Sequence, residues 1–398
     1  MAKAPRRKKC EILVINQIAQ VGLKRFPAER YAVVKDADDP QAILVRSQDL
    51  HAYEFGPSLR ALGRAGAGVN NIPVDALSKR GVPVFNAPGA NANAVKELVL
   101  AGMLLAARNL APALDFVRGL GTTSELDKRV EEGKKQFAGS ELPGHTLGVI
   151  GLGKVGSLVA DAAIRLGMNV LGFDPHITVE AAWSLPSQVR RAASIDEVLR
   201  SSHFISLHIP LGEKTRHLVN SRNIEQLRPG TVLLNFSRDG VVADDAVLKG
   251  LASHRLRWYV TDFPSAELIT QPGVIALPHL GASTREAEDN CAIMVVDQVR
   301  DYLEHGNLQN AVNFPDAVMA REAPYRVAIA NANVPDMLGQ ISHALGRRKI
   351  NIHNMLNKSK GEMAYTIVDA DSPVPAATID ELGKLTGVLA VRYLPVDG

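Results

Sequence analysis

Between residues 11 and 95, short strand-like stretches recur at 12–15, 42–45, 60–64 and 82–85, separated by turns and helical stretches. Such short stretches rich in apolar residues read as buried strands, and their alternation with helical stretches predicts a parallel α/β sheet. The segment 93–108, NAVKELVLAGMLLAAR, has the length and apolar content of a buried helix and is expected to cross between domains on its Leu/Ala face. From 147 to 280 the alternation resumes, and polar residues follow the apolar runs one after another: Asp174, His208, Arg238, Asp262 and His279. The pattern over 282–305 predicts a second long helix, which returns the chain to the first domain. Residues 306–325 lack periodicity and read as a linker. The tail runs strand (326–330), helix (337–345), strand (350–356), strand (363–369), helix (378–384), strand (388–393).

The expected fold is therefore α/β. Two doubly wound, Rossmann-like parallel-sheet domains are followed by a ferredoxin-like βαββαβ unit. The boundaries are 1–92 with 284–315, then 93–283, then 322–398.

One stretch organises the rest. The apolar run 147–150 turns through Gly151-Leu152-Gly153-Lys154-Val155-Gly156 into a helical pattern, and a second apolar run ends on Asp174. A lone GxGxxG is weak, but a strand before, a helix after and an acid eighteen residues past the last glycine supply the context of a dinucleotide fingerprint. Gly151 permits the tight turn, Gly153 lets a pyrophosphate approach the backbone, and Gly156 lets helix and strand pack closely. The amides around Lys154 and Val155 open a helix whose dipole favours an anion. Asp174 suits both ribose hydroxyls and would repel a 2′-phosphate, so the expected cofactor is NAD rather than NADP.

Composition narrows the classes. A chain of 398 residues with 46% hydrophobic and 22% charged residues is globular, with room for two or three domains. A net charge of +3 gives no argument for nucleic acid or an anionic membrane. No run of about eighteen apolar residues appears, so no membrane span is expected. The cluster Arg6-Arg7-Lys8-Lys9 leads into Glu11 and Asn16 rather than an apolar core, which reads as a frayed terminus and not a secretory signal. Cys10 and Cys291 belong to no metal-spacing motif; no metal is expected, and a reducing cytoplasm fits. The charge-dense stretch 125–135 reads as a solvated helix face.

Several strand-end residues carry candidate chemistry. Arg46 suits a phosphate or carboxylate by a forked contact, or is a solvated loop arginine. The Gly66-Ala67-Gly68 loop turns successive amides toward an anion, or is an ordinary tight turn. A nicotinamide cofactor implies hydride transfer, and oxidation of a secondary alcohol needs a base for the hydroxyl proton. His279 is the candidate base, with a strand-end histidine in an ordinary hydrogen bond as the plain alternative. Glu267, twelve residues upstream, is the nearest preceding glutamate to orient it, and Arg238 suits a substrate carboxylate.

Over residues 10–315 the chain resembles the D-isomer-specific 2-hydroxyacid dehydrogenases. The resemblance is carried by Gly66-Ala67-Gly68-Val69-Asn70-Asn71-Ile72, Asn86-Ala87-Pro88-Gly89-Ala90-Asn91, the fingerprint, Leu233-Leu234-Asn235-Phe236-Ser237-Arg238, Tyr259-Val260-Thr261-Asp262-Phe263-Pro264 and Pro278-His279-Leu280-Gly281-Ala282-Ser283. It implies a catalytic trio of Arg238, Glu267 and His279. It implies Asp262 at the nicotinamide carboxamide, and Phe236, Ser237, Gly281 and Ala282 along the cofactor. It implies a substrate carboxylate on Gly66, Ala67 and Gly68, and Arg46 with Ser47 as phosphate contacts. The substrate so implied is 3-phospho-D-glycerate, oxidised by NAD in the first step of L-serine biosynthesis. Another reductase of the family, for glyoxylate or hydroxypyruvate, is the alternative, and a non-catalytic NAD-sensing binding protein is a further one. The tail resembles an ACT domain through Asn331-Ala332-Asn333-Val334-Pro335-Asp336-Met337 and Ile350-Asn351-Ile352. This implies L-serine as an effector at Asn331, Asn333 and Asn351, and self-association as a homodimer or homotetramer.

Overall fold

The computed structural model describes residues 9–396. Arg6, Arg7 and Lys8 of the basic cluster lie outside the described residues. The chain divides into two compact units, residues 91–287 and, together, residues up to 90 and from 288 onward.

The first unit opens with five parallel strands: β1 (Cys10–Ile15), β2 (Tyr31–Val34), β3 (Ala42–Val45), β4 (Ala61–Arg64) and β5 (Val84–Phe85). Their spatial order is β2-β1-β3-β4-β5. Neighbouring strand residues serve opposite faces. Ile12 and Leu44 pack on Val295, Val296 and Val299 of the helix Arg285–His305, while Leu13, Ile43 and Leu62 pack on Leu77 and Val84. That helix lies close on the sheet: a Cβ on Gly63 would sit 2.7 Å from Val295, and one on Gly22 would sit 2.6 Å from the Ala292 carbonyl carbon. β2 escapes the sequence pattern because it is a four-residue edge strand with Val33 exposed.

The second unit is built on β6 (Thr146–Ile150), β7 (Asn169–Phe173), β8 (Val189–Arg191), β9 (Phe204–Leu207), β10 (Thr231–Asn235), β11 (Leu256–Thr261) and β12 (Val274–Ala276). All pairings are parallel, in the order β12-β11-β10-β9-β6-β7-β8. The winding reverses between β6 and β9, where a parallel sheet opens its ligand crevice. The helix Ala92–Ala107 buries Val95, Val99 and Met103 against this sheet's core. The charge-dense stretch forms the helix Leu126–Gly133 with no buried residue. Among the described residues no single helix is long and apolar enough to cross a membrane.

The tail forms β13 (Tyr325–Ala332), β14 (Ile352–Lys360), β15 (Met363–Ala370) and β16 (Val388–Pro395), antiparallel in the order β14-β15-β13-β16, with helices Met337–Arg347 and Ala376–Gly383 after β13 and β15. One face of this sheet packs on its own helices through Val327, Ile329, Ile341 and Leu345. The other face, with Ala328, Ala330, Tyr365 and Ile367, joins the core of the first unit.

That second face corrects the reading of 306–325 as a linker. Leu308, Phe314 and Ala317 are buried there, and Leu308 bridges Ala317. The stretch lacks periodicity because it is neither helix nor strand, yet it carries core side chains. The end of the helix Arg285–His305 is closed by the same sheet. Arg392 donates to the carbonyls of Tyr302 (2.7 Å) and Leu303 (2.8 Å) and lies over the Tyr302 ring at 4.4 Å. Arg326 donates to His305 O at 3.0 Å, and the Tyr365 hydroxyl to Gly306 O at 2.8 Å. Cations and donors belong at this end of a helix, where unpaired carbonyls collect negative charge.

Candidate cofactor and catalytic site

The fingerprint turn leaves β6 as a strand-to-helix elbow into the helix Lys154–Arg165. Gly151 takes φ 91°, and a Cβ there would stand 2.4 Å from His208 O at the end of β9. A Cβ on Gly156 would stand 1.9 Å from Gly151 O, so this glycine is fixed by packing. Gly153 differs: its Cβ would meet nothing within 4 Å. Its backbone is therefore open to a ligand, beside the first amides of a twelve-residue helix begun by Lys154 and Val155. Asp174, at the end of β7, accepts from the Leu152 amide at 2.9 Å and the His176 amide at 2.9 Å. The acid is thus tied to the tip of the glycine turn.

A second group gathers at the ends of β10, β11 and β12. Asp262 is 1% exposed; its Oδ2 accepts from the Gly281 amide at 3.0 Å, while its Oδ1 is buried without a partner. Burial pushes this carboxyl up, against the Gly281 amide and the charges of His279 and Arg238. A buried acceptor left open next to a glycine backbone is what a carboxamide N–H would fill. Together with the open backbone at Gly153, it fits a nicotinamide dinucleotide. Ala282 follows Gly281 and is partly buried.

Phe236 is buried and faces Gly102 of the helix Ala92–Ala107, where an added Cβ would stand 3.0 Å from its ring, so its side chain is core. Ser237 is buried and bonds Asn235 Oδ1 through its hydroxyl (2.8 Å) and amide (3.2 Å). Arg238 is exposed, with its Nη1 donating to Ser237 O at 2.6 Å. The neighbouring Asp239 is turned away to the Gly240 amide at 2.8 Å.

His279 is exposed and holds φ 44°, a left-handed conformation that is uncommon outside glycine. Its amide donates to Asp262 O (3.0 Å) and Leu277 O (3.1 Å), and its ring lies 4.9 Å from that of Phe263. Glu267 is exposed on the loop between β11 and β12 and forms no ion pair with His279 within 4.0 Å. The structure thus brings His279 and Asp262 together.

The anion-binding candidates lie in the first unit. Arg46 and Ser47 follow β3; Gly66, Ala67 and Gly68 follow β4. The glycine loop is fixed from its carbonyl side, Gly66 O by the Ala87 amide (2.9 Å) and Ala67 O by the Asn86 side chain (2.6 Å). Sequence reasoning missed Arg64, whose guanidinium overlies the loop: a Cβ on Gly66 would stand 1.9 Å from its Nη1. It ends β4 as Arg46 follows β3, and that positional signal was available.

In the tail, Asn331 and Asn333 line one cavity of about 200 Å³ with Asp336 and Asn357. Asn331 is buried and donates to Ala332 O at 2.8 Å; Asn333 donates to Gly361 O at 3.0 Å. Asn351 sits apart from that cavity, bonded to Asp371.

A family model for the NAD binding domain of D-isomer specific 2-hydroxyacid dehydrogenases matches residues 100–281. The D-3-phosphoglycerate dehydrogenase of Methanocaldococcus jannaschii is 36% identical over 320 residues, covering 77% of this chain and 57% of that protein. That of Haemophilus influenzae is 30% identical over 354 residues, covering 86% of this chain and 82% of that protein. The match spans little more than half the length of several such relatives, 57%, 56% and 54%. Among solved structures, the NAD+-bound 3-phosphoglycerate dehydrogenase of Entamoeba histolytica is similar with a TM-score of 0.59 at 25% identity, covering 77% of this chain and 99% of that one. The open glycine cradle and the unfilled acceptor of Asp262 both fall inside the matched segment, and the Haemophilus likeness runs over most of both chains: the chain belongs to the D-isomer specific 2-hydroxyacid dehydrogenase family and carries its NAD-binding domain.

Proposed function

We propose that the chain oxidises 3-phospho-D-glycerate to 3-phosphooxypyruvate with NAD, opening L-serine biosynthesis in the cytoplasm. When bound, NAD would supply the acceptor for the hydride that leaves C2 of the substrate. His279 takes the hydroxyl proton at its ring, and its backbone ties to Asp262 and Leu277 hold that ring at the end of β12. Arg238 pairs with the substrate carboxylate, aided by the amides of Gly66, Ala67 and Gly68. Glu267 supports His279 as the acid that orients its ring and raises its basicity. Phe236, Ser237, Gly281 and Ala282 border the cofactor. Asp174 holds the ribose hydroxyls. Arg46 and Ser47, joined by Arg64, meet the phosphate.

The observation that carries the phosphate half of this reading is the pair of arginines, Arg46 and Arg64, closing adjacent strands beside the glycine loop. Two anionic groups on one small substrate call for such a set. The tail, in this reading, is an ACT domain that takes L-serine at Asn331, Asn333 and Asn351 in a homodimer or homotetramer.

The alternative is reduction of an unphosphorylated acid such as hydroxypyruvate. It is favoured by the ion pair of Arg46 with Glu288. NADH oxidation in parallel with 3-phosphooxypyruvate and hydroxypyruvate tests the reading. A large preference for the phosphorylated acid is expected; equal or better use of hydroxypyruvate overturns it. Undiminished turnover by a folded His279→Ala would overturn the mechanism.

A further inference from the structure

The groups expected to meet the substrate's phosphate are already engaged by oxygen atoms of the chain itself. Arg46 Nη1 lies 2.7 Å from Glu288 Oε1. The amides of Ser47 and Gln48 donate to Asn16 Oδ1 at 3.3 and 2.8 Å. Asn16 does this from φ 67°, a left-handed conformation that a short polar side chain tolerates and most residues avoid. From the other side, the Arg46 carbonyl accepts from Arg64 Nε at 3.0 Å, so the backbone that presents the guanidinium and the following amides is fixed. Glu288 and Asn16 both line an open crevice of about 1260 Å³ at the carboxyl ends of β1 and β2, together with Lys24 and Lys35. A guanidinium beside successive backbone amides is the donor set of a phosphate site. Here its acceptors are one carboxylate and one amide oxygen.

We propose that Glu288, seconded by Asn16, is an internal surrogate for the substrate's phosphate. It holds Arg46 while no ligand is bound and gives it up when a dianionic group arrives. This rests on the reading of Arg46 as a phosphate contact. The two side chains are 31% and 44% exposed, and ion pairs this open are weak enough to exchange. A phosphate dianion attracts the guanidinium more strongly than one carboxylate does. An acid without a phosphate has nothing to offer Arg46, and the internal pair stays closed. Glu288 therefore acts as a specificity residue, setting the charge that a ligand must bring.

The test is calorimetric titration of inorganic phosphate into the full chain, as wild type, Glu288→Gln, Arg46→Gln and the double variant, each checked for an unchanged melting temperature. Glu288→Gln should tighten phosphate binding roughly two- to fivefold, the range that exposed pairs allow. The double variant should bind no better than Arg46→Gln alone. Equal or weaker binding by Glu288→Gln overturns the surrogate role and makes this acid a positioning partner of Arg46. Kinetics separate the substrate reading. With Glu288→Gln, KM for 3-phosphooxypyruvate should fall while kcat and the KM for hydroxypyruvate hold. If wild type shows no preference for the phosphorylated acid but the titration result stands, the substrate assignment fails, and Glu288 is a surrogate for a phosphate group brought by a ligand other than the substrate.

Discussion

Arg326 and Asp369 meet with no exposed surface on either side chain, Nε to Oδ1 at 2.6 Å and Nη2 to Oδ2 at 2.8 Å. The remaining N–H groups of the guanidinium go to the carbonyls of His305, Met319 and Ala320. Removing one member of such a pair leaves an uncompensated buried charge. Asp369→Ala should therefore cost about 3–5 kcal/mol, read as a lower urea midpoint. Joint replacement, Arg326→Met with Asp369→Leu, should recover only part of this, because three carbonyls then lose their donor. Full recovery would show that those carbonyl contacts contribute nothing.

The glycines of the fingerprint should separate on substitution. Gly156→Ala forces a Cβ to 1.9 Å from Gly151 O and should cost about 1–3 kcal/mol or more in unfolding experiments. Gly153→Ala meets nothing in the free protein and should change stability by less than about 1 kcal/mol. Its NAD affinity should nevertheless fall at least about tenfold, equivalent to about 1.4 kcal/mol. Fluorescence titration with NADH alongside thermal melts checks both; unchanged affinity in Gly153→Ala would place the pyrophosphate elsewhere.

Cofactor choice should follow Asp174. Its carboxylate is held at the tip of the glycine turn by two amides, and a fixed negative charge there repels a 2′-phosphate. Asp174→Ala should erode the ratio of kcat/KM for NAD over NADP. A ratio that stays put would mean that the acid does not face the ribose.

Stability should depend on pH through His208. Its ring bonds Ser206 at 2.8 Å, and burial pushes it down to about 4. The unfolded chain, with histidine near 6.5, then takes up this proton first. The contribution is whole above about pH 6.5, declines as pH falls toward 4, and changes no further below that, with a slope of at most about 1.4 kcal/mol per pH unit. His203, also pushed down by burial and by Arg228 and His145, adds in the same direction. Denaturant melts between pH 7 and 4 should show this loss, and His208→Gln should flatten it.

What the sequence makes legible here is chemistry written locally. Gly151, Gly153, Gly156 and Asp174 lie within one strand-helix-strand stretch, so spacing alone arranges them. The buried strands of both parallel sheets are likewise read from their apolar runs. The short edge strands β2 and β8 are not, since exposure removes the apolar signal. Contacts between residues remote in sequence stay hidden for a different reason. Nothing near Arg46 announces Glu288, and nothing in 306–325 announces that Phe314 is core, because both depend on which faces the tertiary fold brings together.

The closure of the helix Arg285–His305 by Arg392, Arg326 and Tyr365 bears on how this architecture can be recombined. A C-terminal sheet that supplies a neighbour's missing donors is no detachable cassette. Truncation before Tyr325 would remove the side-chain donors to the carbonyls of Tyr302, Leu303, His305 and Gly306 and bare the apolar face now covered by Ala328, Ala330 and Ile367. A shortened or chimeric version would need replacement donors at Tyr302, Leu303, His305 and Gly306. Otherwise the damage would travel down the rod on which the five-stranded sheet rests.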